Sequence, residues 1–149
     1  MFDVIVIGGG TAGLRTSLAI ASKGKRIALI EPGILGGTCL NNGCIPTKAM
    51  LHASHLYKQS AELDKFGITN SPKLNFKKLM AYVNFFPQFG QAHIKKSVKK
   101  YKNLTLVKGK AQFNGKNSIK VGNNELQAKK FIICCLVLFG SVAKSNSLP

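Results

Sequence analysis

The chain has 149 residues, 45% of them apolar, enough for one domain with a real core and typical of a soluble globular protein. Its formal charge of +17 comes from 20 lysines and only 2 arginines against 5 acids. Such a balance attracts nucleic acid non-specifically, but the scarcity of arginine, the residue of bidentate phosphate and base contacts, argues against specific readout.

Phe2 to Ile7 (FDVIVI) is a short run rich in β-branched residues, the pattern of a strand buried on both faces of a parallel sheet. It leads into GGGTAG, so a G-x-G-x-x-G frame falls on Gly8, Gly10 and Gly13. Gly8 permits a tight turn, Gly10 lets a pyrophosphate approach the backbone, and Gly13 lets helix and strand pack closely. A helix is predicted from Thr11 to Ser22, turning its unpaired N–H groups and positive dipole end toward the phosphates. A second strand, Arg26 to Ile30, ends at Glu31, a carboxylate about 20 residues beyond the glycines, where a ribose hydroxyl needs an acceptor. The glycine frame alone is weak evidence. Strand, helix and acid around it together point to a dinucleotide site.

Gly36 to Lys48 (GGTCLNNGCIPTK) sets Cys39 and Cys44 four residues apart, just before Pro46. In a small secreted domain such a pair is a structural staple. Here the first strand begins at Phe2 with no basic or apolar leader ahead of it, so the expectation is a cytoplasmic chain and a redox-active pair. A zinc site is disfavoured, and no metal is expected. Cys134 and Cys135 are adjacent in an apolar run, and His52 and His55 sit on a helix, so no second pair stands at ligand spacing. Cys44 lies at the start of a helix beginning near Pro46, where dipole and free N–H groups favour a thiolate. Pro46 suits a first helical turn.

Ala49 to Leu63 continues as an amphipathic helix, with Met50 and Leu51 read as core and both histidines as surface. Gly67 to Pro72 is turn-rich. Phe76 to Tyr101 reads as one or two helices, broken or kinked near Pro87 and Gly90. The lysine run Lys95, Lys96, Lys99, Lys100 and Lys102 reads as a solvated helix face. An aromatic-plus-basic surface with Phe85, Phe86 and Phe89 is the alternative. Leu104–Val107, Ala111–Phe113, Ser118–Val121 and Glu125–Ala128 are short strand candidates forming an antiparallel meander before a last buried strand, Phe131–Ile133. The apolar run Phe131–Phe139 is too short for a membrane span, which needs about 20 residues, and uncharged enough to be an aggregation hazard.

FDVIVIGGGTAGL, then ALIE, then GGTCLNNGCIPTK resembles the N-terminus of the flavin-dependent pyridine nucleotide–disulfide oxidoreductases. That family includes dihydrolipoamide dehydrogenase, mercuric reductase and glutathione reductase. CLNNGCIPTKAML followed by HASHLY is most similar to dihydrolipoamide dehydrogenase, with mercuric reductase-like proteins second. The resemblance is specific over Phe2 to about Tyr57 and holds as a pattern of elements to about Ile133.

The resemblance implies that FAD is the cofactor, its pyrophosphate cradled by Gly8, Gly10 and Gly13 and its adenosine ribose held by Glu31. Gly37 and Thr38 would lie along the phosphate and ribityl part. Cys44 would be the thiol against the flavin ring, Cys39 the interchange thiol facing a small dithiol or disulfide substrate, and Lys48 the cation near the flavin N5 edge. The family's reaction passes electrons between dithiol, disulfide, FAD and NAD(H), and its members are homodimers.

The sequence also departs from the family pattern. Its first FAD segment ends in an A-T-G-S-x-P turn, whereas this chain reads FIICCLVLFGSVAKSNSLP, with Gly140 and Ser141 as a remnant. A second nucleotide motif and a dimerisation domain do not follow. The expectation is therefore an α/β, Rossmann-like FAD-binding domain over residues 1–149, with parallel sheet, flanking helices and a small antiparallel meander. It would be a truncated and inactive segment of the family fold. A non-catalytic remnant and a basic nucleic-acid-binding module remain as other readings.

Overall fold

In the computed structural model, residues 1–69 and 71–135 are described, and they pack as two compact units, Met1–Leu35 with residues from Val98 onward, and Gly36–Ser97. The Gly140–Ser141 turn and the apolar run beyond Cys135 lie outside the described residues.

The first unit is built on a six-stranded sheet ordered β3-β2-β1-β6-β5-β4. Strand β1 (Phe2–Ile7) runs through helix α1 (Thr11–Ala21) to β2 (Ile27–Glu31), and the two strands pair in parallel from Val4↔Ile27 to Ile7↔Ile30. Continuous apolar residues make these strands because both faces are covered: Ile5, Val6, Ile27, Ala28, Leu29 and Ile30 are at most 1% exposed. Burying each large side chain contributes about 1.5–3 kcal/mol. On α1, Gly13, Leu14, Ser17 and Ala21 form the buried stripe.

Strand β3 (Leu104–Lys108) extends the parallel sheet beside β2, from Ile27↔Leu104 to Glu31↔Lys108, rather than opening the meander. The side-chain amide of Asn103 fixes its start by donating to the carbonyls of Ala21 and Lys25 at 2.8 and 2.7 Å. The meander is β4 (Ala111–Gly115), β5 (Ser118–Val121) and β6 (Asn124–Ile133). The two separate strands expected at Glu125–Ala128 and Phe131–Ile133 are one. Its first half pairs antiparallel with β5 and its second half parallel with β1, so a single strand joins meander to sheet. Ile119 and Val121 of β5 pack with Ile5, Ala28 and Ile30 in one core. Ile133 is exposed, unlike the buried strand end expected there.

At the sheet's other end Asp3 accepts from the Arg26 N–H at 3.0 Å and pairs with Lys129 at 3.2 Å. These two interactions, the Arg26 hydrogen bond first, hold its carboxyl below the ordinary carboxylate range. The pair is solvent-exposed and contributes little to stability.

The second unit contains α2 (Gly37–Asn41), α3 (Cys44–Ala61), a 3-10 turn (Leu63–Phe66) and most of α4 (Phe76–Lys99). Helix α4 is a single element that contains Pro87, the one-helix form of the one or two helices expected there. Its first turn is capped by Asn75, whose side chain accepts from the Lys78 N–H at 3.0 Å. Met50 and Leu51, expected in the core, are 43% and 54% exposed. With Tyr57, Leu74 and Leu79 they line an open groove of about 440 Å³. His52 and His55 are exposed, as read from the sequence. Among the described residues, no helix is long and apolar enough to cross a membrane.

Candidate nucleotide loop and dithiol pair

The sequence-predicted residues fall into two groups, one in each unit. In the first, the chain leaves β1 through Gly8 at φ +104°, a conformation that favours glycine, and the Gly8 N–H donates to the Ile30 carbonyl at 2.8 Å. A Cβ on Gly13 would collide with the Gly8 carbonyl oxygen, so α1 can cross this turn only without a side chain there. Gly10 differs. It is the N-cap of α1, and a Cβ built on it meets nothing within 4 Å. The helix start has no side-chain cap and no acid in its first turn, which leaves its N–H groups and positive dipole end for an anion.

Glu31 closes this loop. Its Oε2 accepts from the Gly9 N–H at 2.6 Å and its Oε1 from the Gly33 N–H at 2.8 Å. A carboxylate offers about four acceptor sites, so two stay available for a ribose hydroxyl. The bond from Gly9, the one glycine outside the motif frame, was not foreseen from the sequence. Crowded Gly8 and Gly13 around open Gly10, an uncapped helix start and a half-committed carboxylate fit a dinucleotide.

In the second group, Cys39 lies within α2 and Cys44 is the first residue of α3, two positions ahead of the start read from Pro46. Gly37 and Thr38 open α2, and Lys48 lies one turn beyond Cys44 on α3. The turn carrying the pair is fixed from several directions. The Asn42 N–H donates to the Thr38 carbonyl at 2.9 Å and the Thr47 N–H to the Gly43 carbonyl at 3.0 Å. The Gln91 amide on α4 donates to the Asn41 side-chain oxygen at 2.8 Å, and the Asn41 amide to the Gly37 carbonyl at 2.9 Å. Leu40 packs where a Cβ on Gly90 would sit, 2.6 Å from its Cδ1, and where one on Gly36 would sit, 2.6 Å from its Cδ2. Gly90 therefore makes room for the cysteine turn rather than ending the helix. Gly36, Leu40, Asn41 and Gln91 are positioning residues that sequence reading missed. Only the doubled glycine Gly36-Gly37 carried a signal for them.

Both thiols are free and exposed. The side-chain interaction with Cys44 pushes the Cys39 thiol above its ordinary value of 9.0, with local desolvation and the Cys44 charge adding to the effect and the Cys44 backbone N–H, then Lys48, opposing it. Removing the partner in Cys44→Ala lowers the Cys39 value and raises its thiolate fraction at about pH 8. Iodoacetamide alkylation of Cys39 at that pH is expected to accelerate roughly several-fold, read by mass spectrometry. An unchanged or slower rate would contradict the pairing. Among the described residues, no group of three or more His, Cys, Asp or Glu is placed to hold a metal ion.

Residues 2–135 match the pyridine nucleotide-disulphide oxidoreductase family. A dihydrolipoyl dehydrogenase of Staphylococcus aureus is 38% identical over 120 residues, covering 80% of this chain and 25% of that protein. One from Thermus scotoductus is 35% identical over 132 residues, covering 89% and 28%. The solved structure of the HOCl-induced flavoprotein disulfide reductase RclA from Escherichia coli superposes with a TM-score of 0.74 at 27% identity, covering 92% of this chain and 29% of that one. The chain thus spans about a quarter of the length of the curated relatives it matches. On the matched span, the α/β sheet with its glycine turn, and the paired thiols, this chain belongs to the pyridine nucleotide-disulphide oxidoreductase family.

Proposed function

We propose that this chain is the flavin- and dithiol-bearing part of an FAD-dependent dithiol/disulfide oxidoreductase of the dihydrolipoamide dehydrogenase type, with NAD(H) as its nicotinamide partner. The exposed Cys39–Cys44 pair, close enough for Cys44 to raise the Cys39 thiol, in a family member carries the reading. FAD, when bound, supplies a two-electron acceptor for that pair. Gly8, Gly10 and Gly13 hold its pyrophosphate and Glu31 its ribose. Gly37, Thr38 and Lys48 are assigned to the rest of the cofactor.

In the thiol steps, a substrate thiolate attacks the Cys39 sulfur, the Cys39–Cys44 bond breaks, and Cys44 leaves as thiolate. The second substrate thiolate then attacks the mixed disulfide, releasing a substrate disulfide and the Cys39 thiol. Two electrons now rest on the protein pair. The likeness to a disulfide reductase supports the same steps run in reverse as a second reading. The mercuric reductase type remains a weaker alternative, on the shared cysteine stretch. For the intact protein we assign a homodimer in the cytoplasm. For these 149 residues alone we assign flavin binding and thiol exchange without NAD(H) turnover.

Mild oxidation followed by dihydrolipoamide tests the thiol chemistry. The expected result is a Cys39–Cys44 disulfide by mass spectrometry that dihydrolipoamide reduces stoichiometrically. A pairing through Cys134 or Cys135, or a disulfide inert to the dithiol, would contradict it.

A further inference from the structure

The outward face of α4 takes no part in the chemistry above. Lys78, Tyr82, Phe85, Phe89, Ala92 and Lys96 follow at alternating spacings of four and three residues, which sets them on one stripe. All six are exposed, Phe85 and Phe89 at 55% and 54%. Val83, Pro87, Gly90 and Ile94, on the same alternation, form the inward stripe and are buried or half-buried. The outward rings are pre-ordered. Phe85 and Phe89 stack with centroids 5.7 Å apart and planes at 26°, and His93 lies 4.4 Å from Phe89.

The charge around this stripe has one sign. Helix α4 contains no acid, with Lys77 and Lys78 before the rings and Lys95 and Lys96 after them. The unit's two acids, Glu62 and Asp64, lie elsewhere, and Glu62 is paired with Lys65 at 3.8 Å. A second copy docked stripe on stripe would set lysine against lysine in either orientation, a repulsive arrangement. A lipid surface would bury Lys78 and Lys96, because they stand on the axis of the stripe rather than on its flanks. A linear polyanion with stackable faces satisfies both features. The lysines bracket about 27 Å of helix, at 1.5 Å per residue, and the rings lie between them.

We propose that this face binds single-stranded nucleic acid without sequence preference, bases stacking on Tyr82, Phe85 and Phe89 and phosphates paired with the flanking lysines. The scarcity of arginine agrees with sequence-tolerant binding.

The test is fluorescence anisotropy of a labelled oligothymidylate titrated with the whole chain over a salt series. Phe85→Ala/Phe89→Ala is expected to weaken binding at least about tenfold with an unchanged salt slope. Lys78→Gln/Lys96→Gln is expected to reduce the slope by about 1.4, at about 0.7 per phosphate contact. Because all four side chains are exposed, both variants should keep the wild-type circular dichroism. Equal affinity of the aromatic variant would reduce the effect to bulk charge and overturn the proposal. So would absence of oligonucleotide binding, stripe-dependent capture by anionic vesicles instead, or a stripe-dependent dimer.

Discussion

Gly13→Val is expected to abolish FAD binding and destabilise the fold by about 3 kcal/mol, the upper end for overpacking a close contact. In a chain of this size that lowers the unfolding midpoint by several degrees, at about 2–4 °C per kcal/mol. The cause is local. A Cβ at Gly13 meets the Gly8 carbonyl, which is backbone and cannot rotate aside, and lies 3.1 Å from the Cys134 Cβ, whose position the backbone fixes. Gly10→Ala separates the two consequences. Its Cβ enters open space, so the stability cost is that of a poorer N-cap, about 0.5–1 kcal/mol. Yet that open space is where the proposed pyrophosphate approaches, so flavin affinity falls as in Gly13→Val. Scanning fluorimetry and quenching of flavin fluorescence read the two effects. Wild-type flavin affinity in either variant would remove the phosphate role from this loop.

Cys44→Ser is expected to remove entirely the long-wavelength charge-transfer absorbance of the reduced, FAD-loaded protein, whereas Cys39→Ser retains it. The two thiols differ in place. Cys44 is the first residue of α3, while Cys39 lies inside α2 with its thiol raised by the neighbouring Cys44. Serine preserves size and hydrogen bonding, so the Leu40–Gly90 packing and the Asn41–Gln91 bond stay in place and loss of the band reports the sulfur alone. A band surviving in Cys44→Ser, or lost in Cys39→Ser, would reverse the assignment of the two roles.

The β1–α1–β2 unit was legible almost residue by residue, because its glycines and β-branched runs act locally. Strand β3 was recognised but wrongly grouped with the meander. Its partner β2 is distant in sequence, and spacing between turns says nothing about pairing across such a gap. Helix α2 went unseen, since five residues carry no periodicity. Pro87 and Gly90 were read from backbone propensity as a break or kink between one or two helices. Tertiary packing overrides that propensity in α4, and at Gly90 the missing side chain is space for Leu40. Met50 and Leu51 show the converse limit. An apolar stripe marks a face that packs well, not one that is covered. Of the motif residues named from the sequence, Gly8, Gly10, Gly13, Glu31 and Lys48 stand in the elements expected, whereas Gly37, Thr38 and Cys39 fall in the unforeseen α2 and Cys44 opens α3 ahead of Pro46. What held them in place, Glu31 to Gly9 and Gln91 to Asn41, is a matter of side-chain geometry that no motif encodes.

If these residues hold FAD and couple it to the Cys39–Cys44 pair, reduction of the thiols must be visible in the flavin spectrum. The visible absorption spectrum of the purified chain, reconstituted with FAD and then treated with dithiothreitol, tests it most directly. The expected result is a retained oxidised-flavin spectrum that gains a long-wavelength shoulder on reduction. A colourless protein after desalting, or a bound flavin whose spectrum gains no shoulder when the thiols are reduced, would contradict it.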